Sequence, residues 1–327
     1  MNSKDLQDRW LQIGVARSEH SLRLLRISAE CVPELSLGLS PSQRRCLVLS
    51  LESIENLNIP ATEREYLSLY LLQEEEIQYV VIELIDIYFE DLFNDLIASI
   101  YNRIDKIKVL VEQAQELIRC FHRWSEFFTK VNSSRLSRQQ IEGLLGELQM
   151  LQECITKNTD INIDHLLNAW RGPYDNSTDF LFDSKNVEVK TILSGKNSVV
   201  ISSEFQLAIE PAKDLELVVY EVEQNTQDGF SISEQLKSLK EVIYTRLGDF
   251  TIILKALAKM SLTMGNVTEY DNFRFSFQTK RTYKAADEEF PKLNNENTKA
   301  AIHSLKYSIR LGLLENYLIE ELKYDSK

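Results

Sequence analysis

Asp179 stands nine residues ahead of Glu188-Val189-Lys190, and the second group sits in a stretch rich in Val, Ile and Leu. Side chains alternate across a strand, so Glu188 and Lys190 point to one face while Val187, Val189 and Thr191 point to the other. Residues 180–182 read as a second strand and Asp183-Ser184-Lys185-Asn186 as the turn between, which folds Asp179 back beside the pair. Two carboxylates and an ammonium then share one small space at the end of a sheet. Mg²⁺ takes oxygen ligands, usually one or two carboxylates with waters and phosphate oxygens, so Asp179, Glu188 and the main-chain carbonyl of Val189 are the expected metal ligands. Lys190 is expected to orient an attacking water or to offset charge growing on phosphorus. The chemistry this suits is metal-assisted hydrolysis of a phosphodiester, with Mn²⁺ able to substitute. The ion's own charge would keep neighbouring carboxylates ionised.

The acid-x-Lys triplet alone has no specificity, since Asp183-x-Lys185, Glu321-x-Lys323 and Asp325-x-Lys327 repeat it. The first of these falls in the expected turn and the other two in a polar C-terminal tail. Glu188-x-Lys190 falls in an apolar strand, where charge is costly unless paired or metal-bound. The competing reading of the same residues is an exposed sheet face with an ordinary Glu and Lys.

The elements that must position these groups follow from periodicity. Ser137 caps a helix over 138–156 whose buried side is Ile141, Leu144, Leu145, Leu148, Leu151 and Ile155, with Glu147 interrupting the apolar set. After a loop with Trp170-Arg171-Gly172-Pro173, three strands joined by tight turns are expected at 180–182, 187–193 and 198–202, the last turn being Gly195-Lys196-Asn197. A fourth strand lies at 215–222, a helix at 233–259 and a further strand at 273–280. The first hundred residues read as mixed α/β, with strands at 22–27, 46–51, 66–72 and 77–85. Pro33, Pro41 and Pro60 fall in their connections, and residues 73–76 form a charged hairpin turn. Ile104, Ile107, Val111, Ala114, Ile118 and Phe121 then form one helical seam, which either packs on its own domain or makes a dimer contact. The polar break at residues 131–137 divides the chain into an N-terminal mixed α/β and helical domain, 1–132, and a second domain, 133–327.

Composition narrows the classes. A chain of 327 residues, 43% hydrophobic and 27% charged, suits two globular units. The net charge of -13 disfavours adhesion to nucleic acid by bulk charge, so any polyanion must be met by a local surface. Cys31, Cys46, Cys120 and Cys154 form no CxxC pair and are expected as buried reduced thiols. His20, His122, His165 and His303 are scattered, which argues against a zinc enzyme. No apolar run is long enough for a membrane span, and the polar N-terminus has no signal-peptide pattern, so the expected place is the cytoplasm.

Asp179 and Glu188-Val189-Lys190, preceded by a helix with Gly146-Glu147-Leu148, resemble the PD-(D/E)xK nuclease core. More narrowly, residues 143–151, Trp170-Arg171-Gly172-Pro173, Asp179-Phe180, Glu188-Val189-Lys190-Thr191 and residues 201–207, in that order, resemble a bacterial family known as PD-(D/E)xK motif proteins. The resemblance implies a restriction-endonuclease-like α/β core, a mixed central sheet flanked by helices, behind the N-terminal α/β domain. It implies that Asp179 and Glu188 are metal-binding acids, Lys190 the motif lysine, and Glu147 the helical glutamate of many such nucleases; the other reading of Glu147 is a partly exposed residue at the edge of the helix face. Gln206 falls where several branches place a glutamine after the third strand; its other reading is a tie to a backbone group. Thr178 stands where a proline often precedes the first acid, a departure shared by working members. The implied function is Mg²⁺-dependent cleavage of DNA in a bacterial restriction or antiphage defence system, beside ATPase or methyltransferase subunits, with a homodimer as a further option. The alternative is a catalytically degenerate nuclease-fold subunit that serves as an assembly or DNA-positioning scaffold, and a third reading is a purely structural α/β interaction protein. Trp170 is either core or a base-stacking platform, and Arg171 either solvated or a phosphate contact. Arg274, Lys280, Arg281 and Lys284 are either a solvated surface or a local DNA-facing patch.

Overall fold

The computed structural model of the chain describes residues 3–13, 22–28, 31, 34–51, 59–74, 77–105, 107–129, 136–172, 178–225, 227–294, 297–299, 301–302 and 304–324. Among the positions singled out above, His20, Pro33, Glu75, Glu76, residues 131–135, Pro173, His303, Asp325 and Lys327 lie outside the described residues. The chain divides into two units. One is Met1–Val131 with Asp249–Thr251 and Thr263–Gly265, the other Asn132–Gly248 with Ile252–Leu262 and Asn266–Lys327.

The first unit runs α1 (Ser3–Ile13), β1 (Arg23–Arg26), β2 (Leu35–Leu39), β3 (Arg45–Leu51), β4 (Thr62–Glu63), β5 (Leu67–Glu74), β6 (Ile77–Leu84), α2 (Glu90–Ile104) and α3 (Leu110–Ser125). Its sheet has the order β1-β2-β3-β6-β5-β4, antiparallel throughout. β5 and β6 form the expected hairpin, in register from Leu67↔Leu84 to Glu74↔Ile77. The single helical seam is corrected: Ile104 ends α2, and Ile107 donates its N–H back to the Ile104 carbonyl at 2.8 Å before α3 begins. The buried face of α3 is Ala114, Leu117, Phe121 and Trp124. Steps of three and four continue across two helices that each bury one face, so periodicity alone does not register the break between them.

The second unit runs α4 (Arg138–Lys157), α5 (Ile163–Ala169), β7 (Phe180–Leu181), β8 (Lys185–Leu193), β9 (Ser198–Ile201), β10 (Asp214–Gln224), α6 (Ile232–Thr245), α7 (Thr251–Lys259, from Ile252 onward), β11 (Phe275–Lys284), β12 (Tyr307–Arg310) and β13 (Leu318–Lys323). The central sheet is β13-β11-β10-β8-β7, with β8 and β10 parallel and the other pairs antiparallel. This is the mixed sheet flanked by helices that a restriction-endonuclease-like core requires. Three details differ from expectation. β9 leaves the sheet and pairs with β12 instead, because parallel β8 and β10 require a crossover and β9 lies within it. The helix at 233–259 is two helices, interrupted where Leu247 takes a φ of 58° and Gly248 passes close to Ile163. Glu321-x-Lys323 belongs to the edge strand β13 rather than a tail, with Glu321 paired to Arg281 at 2.8 Å. Among the described residues no helix is long and apolar enough to cross a membrane.

α4 starts at a reciprocal cap, Ser137 with Gln140, and buries the predicted apolar set against the sheet. Gly146 lets the helix approach β8: a Cβ there would lie 2.0 Å from Thr191 Oγ1 but 3.4 Å from Thr191 Cβ. Gly146→Ala is therefore expected to destabilise the protein by about 2 kcal/mol. In a Thr191→Ala background the same change should become neutral or gain up to about 1 kcal/mol from helix propensity. Urea denaturation of the four proteins in that cycle checks the reversal of sign.

Candidate active site

A short antiparallel contact fixes the main chain at Asp179. Trp170 bridges Phe180, and the Arg171 N–H donates to the Asp179 carbonyl at 2.8 Å. β7 pairs with β8 only at Asn186 and Val187, which leaves the β8 edge open beyond them. The Val189 N–H donates across that edge to Asp179 Oδ2 at 2.8 Å, taking a carboxylate in place of a strand partner. In a strand the N–H and C=O of one residue face the same side, so the Val189 carbonyl faces this edge too.

Glu188 and Lys190 stand on the opposite side of the alternation, in register with Leu217 and Val219 of β10. Glu188 is fully buried, with Oε1 2.6 Å from Lys190 Nζ. Lys190 and the Asp179 main chain are the groups that ease the burial of this carboxylate. Lys190 Nζ also donates to Gln206 Oε1 at 3.3 Å, and the same oxygen accepts the Ser202 N–H at 2.7 Å. Gln206 thus ties a backbone group, as its second reading has it, and touches Lys190 with the same oxygen. Glu147 reaches the group from α4, its Oε2 accepting the Trp170 indole N–H at 2.8 Å. The structure brings Asp179, Glu188, Lys190, Glu147 and Gln206 into one cluster.

The electrostatics follow from burial. Glu188 is pushed up to about 8, first by burial and then by the Asp179 charge, with Lys190 opposing. Burial pushes Asp179 up to about 6 against the pull of Lys190 and the Val189 N–H. Glu147 is raised well above the ordinary carboxylate range by burial and by Asp179. Burial works to lower Lys190, but Glu188 and Asp179 outweigh it and hold the ammonium charged. Three acids share one cation here, and all three cannot ionise cheaply unless another cation arrives.

That shortage is the fit test for a metal. The Glu188 and Asp179 carboxylates and the Val189 carbonyl form an all-oxygen donor set suited to a hard divalent ion. Among the described residues no three His, Cys, Asp or Glu side chains converge as a ready-made cage. An ion here would rest on two carboxylates, a main-chain carbonyl and water, as Mg²⁺ commonly does.

Other expectations resolve plainly. Trp170 is buried and holds Glu147, so it is core and unavailable for stacking on a base. Trp170→Phe, which keeps the ring and removes the donor, is expected to cost about 1–2 kcal/mol by urea denaturation. Arg171 is exposed. The proposed basic patch is corrected: Arg274 grips Glu234, Lys280 is buried against Glu153, and Arg281 pairs with Glu221 and Glu321, leaving Lys284 as its exposed member. Those partners lie on neighbouring strands and helices, invisible to local charge counting. Cys31, Cys46 and Cys120 are buried free thiols and Cys154 is partly buried. Tyr307 was not foreseen. It lies in the field of Glu188 and Lys190, with its hydroxyl donating to the Leu293 carbonyl at 3.1 Å and accepting the Leu293 N–H at 2.9 Å. Nothing in its local sequence marks a tyrosine so far from the motif.

A family model described as "Putative PD-(D/E)XK family member, (DUF4420)" matches residues 6–312. No curated protein and no solved structure matches the chain.

Proposed function

The chain belongs to that PD-(D/E)XK family, and on this premise we propose that it is a divalent-metal-dependent endonuclease that hydrolyses DNA phosphodiester bonds. The observation that carries the reading is Glu188: a fully buried carboxylate set beside a second acid, Asp179, with the Lys190 ammonium 2.6 Å away. Asp179, Glu188 and the Val189 carbonyl would hold Mg²⁺, or Mn²⁺ in its place. When bound, the ion supplies Lewis acidity at the phosphate and a more acidic water. Lys190, charged and anchored by Gln206, stands ready to orient water and to offset charge on phosphorus. Glu147, with its raised affinity for a proton, is placed to hold or hand over one beside the acids. An acidic chain of net charge -13 suits a nuclease that works beside other subunits, and it is the family resemblance that suggests bacterial restriction or antiphage defence with ATPase or methyltransferase partners.

The experiment is cleavage of supercoiled plasmid by the purified chain with Mg²⁺ or Mn²⁺ and with chelator, alone and with the products of neighbouring genes, beside calorimetry of ion binding. Metal-dependent nicking or linearisation is expected. Absence of cutting in every combination, together with no ion uptake, would overturn the reading in favour of a degenerate scaffold.

A further inference from the structure

A DNA nuclease of this net charge needs a local surface for phosphates, and the patch on β11 is neutralised by its own acids. We propose that the β9–β12 ribbon is the surface that holds duplex DNA. The assignment rests on the nuclease reading above and names the element that presents the substrate.

The ribbon has two distinct faces. Its pairs run Ser198↔Arg310, Val199↔Ile309, Val200↔Ser308 and Ile201↔Tyr307. Val199, Ile201 and Ile309 are buried in the apolar layer with Leu215, Leu217 and Val219 of β10, which anchors the ribbon. The outward face carries Ser198, Val200, Ser308 and Arg310, and the same alternation adds exposed Lys306 and Ser202 at one end. Two cations, three hydroxyls and one valine stand there with no acid among them. Among the described residues neither Lys306 nor Arg310 has an ion-pair partner, unlike Arg274, Lys280 and Arg281. Glu204, the acid nearest that end in sequence, is committed to the N–H groups of Ser304 and Leu305 at 3.2 and 3.0 Å.

Charge complementarity selects a polyanion, and spacing selects a rigid one. Lys306, just before β12, and Arg310 at its end are four residues apart, roughly 13 Å at 3.3 Å per extended residue. Hydroxyls between them can donate to phosphate oxygens. A two-stranded ribbon also fits the roughly 12 Å major groove of B-DNA. The ribbon leads into the cluster: Ser202 follows β9 and shares Gln206 Oε1 with Lys190. The Ser202 end of the ribbon, where Lys306 also stands, is therefore the end at which a duplex on the outer face would pass toward the motif lysine.

The test is binding of the full chain to a short labelled DNA duplex, by fluorescence anisotropy across a salt series, in chelator and in Ca²⁺. Each phosphate contact contributes about 0.9 to the slope of log affinity against log salt. Lys306→Ala with Arg310→Ala should therefore lower the slope by roughly 2 and weaken binding roughly tenfold at low salt. Arg310→Glu should weaken it further, Lys284→Ala should change neither quantity, and the exposed positions should leave the thermal midpoint unmoved. If the parent protein binds or cuts DNA while the double variant keeps its affinity and slope, the ribbon assignment falls and the nuclease reading stands. If the parent neither binds duplex DNA nor cuts plasmid, both fall together. Tighter binding to an RNA duplex of equal length would overturn DNA as the partner.

Discussion

Asp179→Ala and Lys190→Ala are each expected to lose metal-dependent plasmid cleavage by about two to three orders of magnitude or more, yet for different reasons that ion binding separates. Asp179→Ala removes a ligand and the acceptor of the Val189 N–H, so both ion uptake and cutting should go. Asp179→Asn keeps an acceptor for that N–H while removing the charge, and its loss of ion binding would exclude simple damage to the β8 edge. Lys190→Ala removes the ammonium that lies 2.6 Å from Glu188 and competes with an incoming cation for the same carboxylate. That variant should bind Mg²⁺ at least as well as the parent while failing to cut. Lys190→Ala cutting at the parental rate would remove Lys190 from the chemistry. Retained ion binding by Asp179→Asn would move the ion elsewhere.

The motif was legible because its logic is local. Strand alternation puts Glu188 and Lys190 on one face whatever surrounds them, and a tight turn returns Asp179 to the neighbouring edge. The α4 register was legible for the same reason, since Ser137 and six apolar positions at helical spacing define both its start and its buried side. What local pattern could not supply was partnership. Arg281 reads as a free cation in sequence, but Glu321 pairs with it from a strand forty residues on. Residues 198–201 have a strand's composition, but only the parallel pairing of β8 and β10 decides that they cross over the sheet and pair with β12. Trp170 reads as core or as a stacking platform, and its place in the core, with its indole N–H on Glu147, depends on how α4 and the loop meet. Hydrophobic pattern fixes which side of an element is buried; it leaves open which element a buried polar group will meet.

Glu188→Gln is expected to abolish cleavage while making the metal-free protein more stable at alkaline pH. The sign follows from linkage. Burial raises Glu188 to about 8, so between its ordinary range near 4.5 and pH 8 the unfolded chain has released a proton that the native state retains. Stability from this group is therefore fully present at acid pH and lost as pH rises through that window, on the order of 3 kcal/mol once sharing with Asp179 and Lys190 is allowed for. Glutamine keeps the shape and never ionises, and Lys190 retains the Asp179 charge and Gln206 Oε1. Thermal unfolding in chelator should find Glu188→Gln more stable than the parent at pH 8, with the difference shrinking toward pH 5. Divalent ion should reverse the order: at a hundredfold excess over its dissociation constant it stabilises the parent by about 2.7 kcal/mol and the variant little. A parent whose metal-free stability is flat from pH 5 to pH 8 would show that Glu188 is already satisfied without an ion. It would then be a structural residue of the sheet, and the excess of buried carboxylate that argues for a metal would lose its meaning.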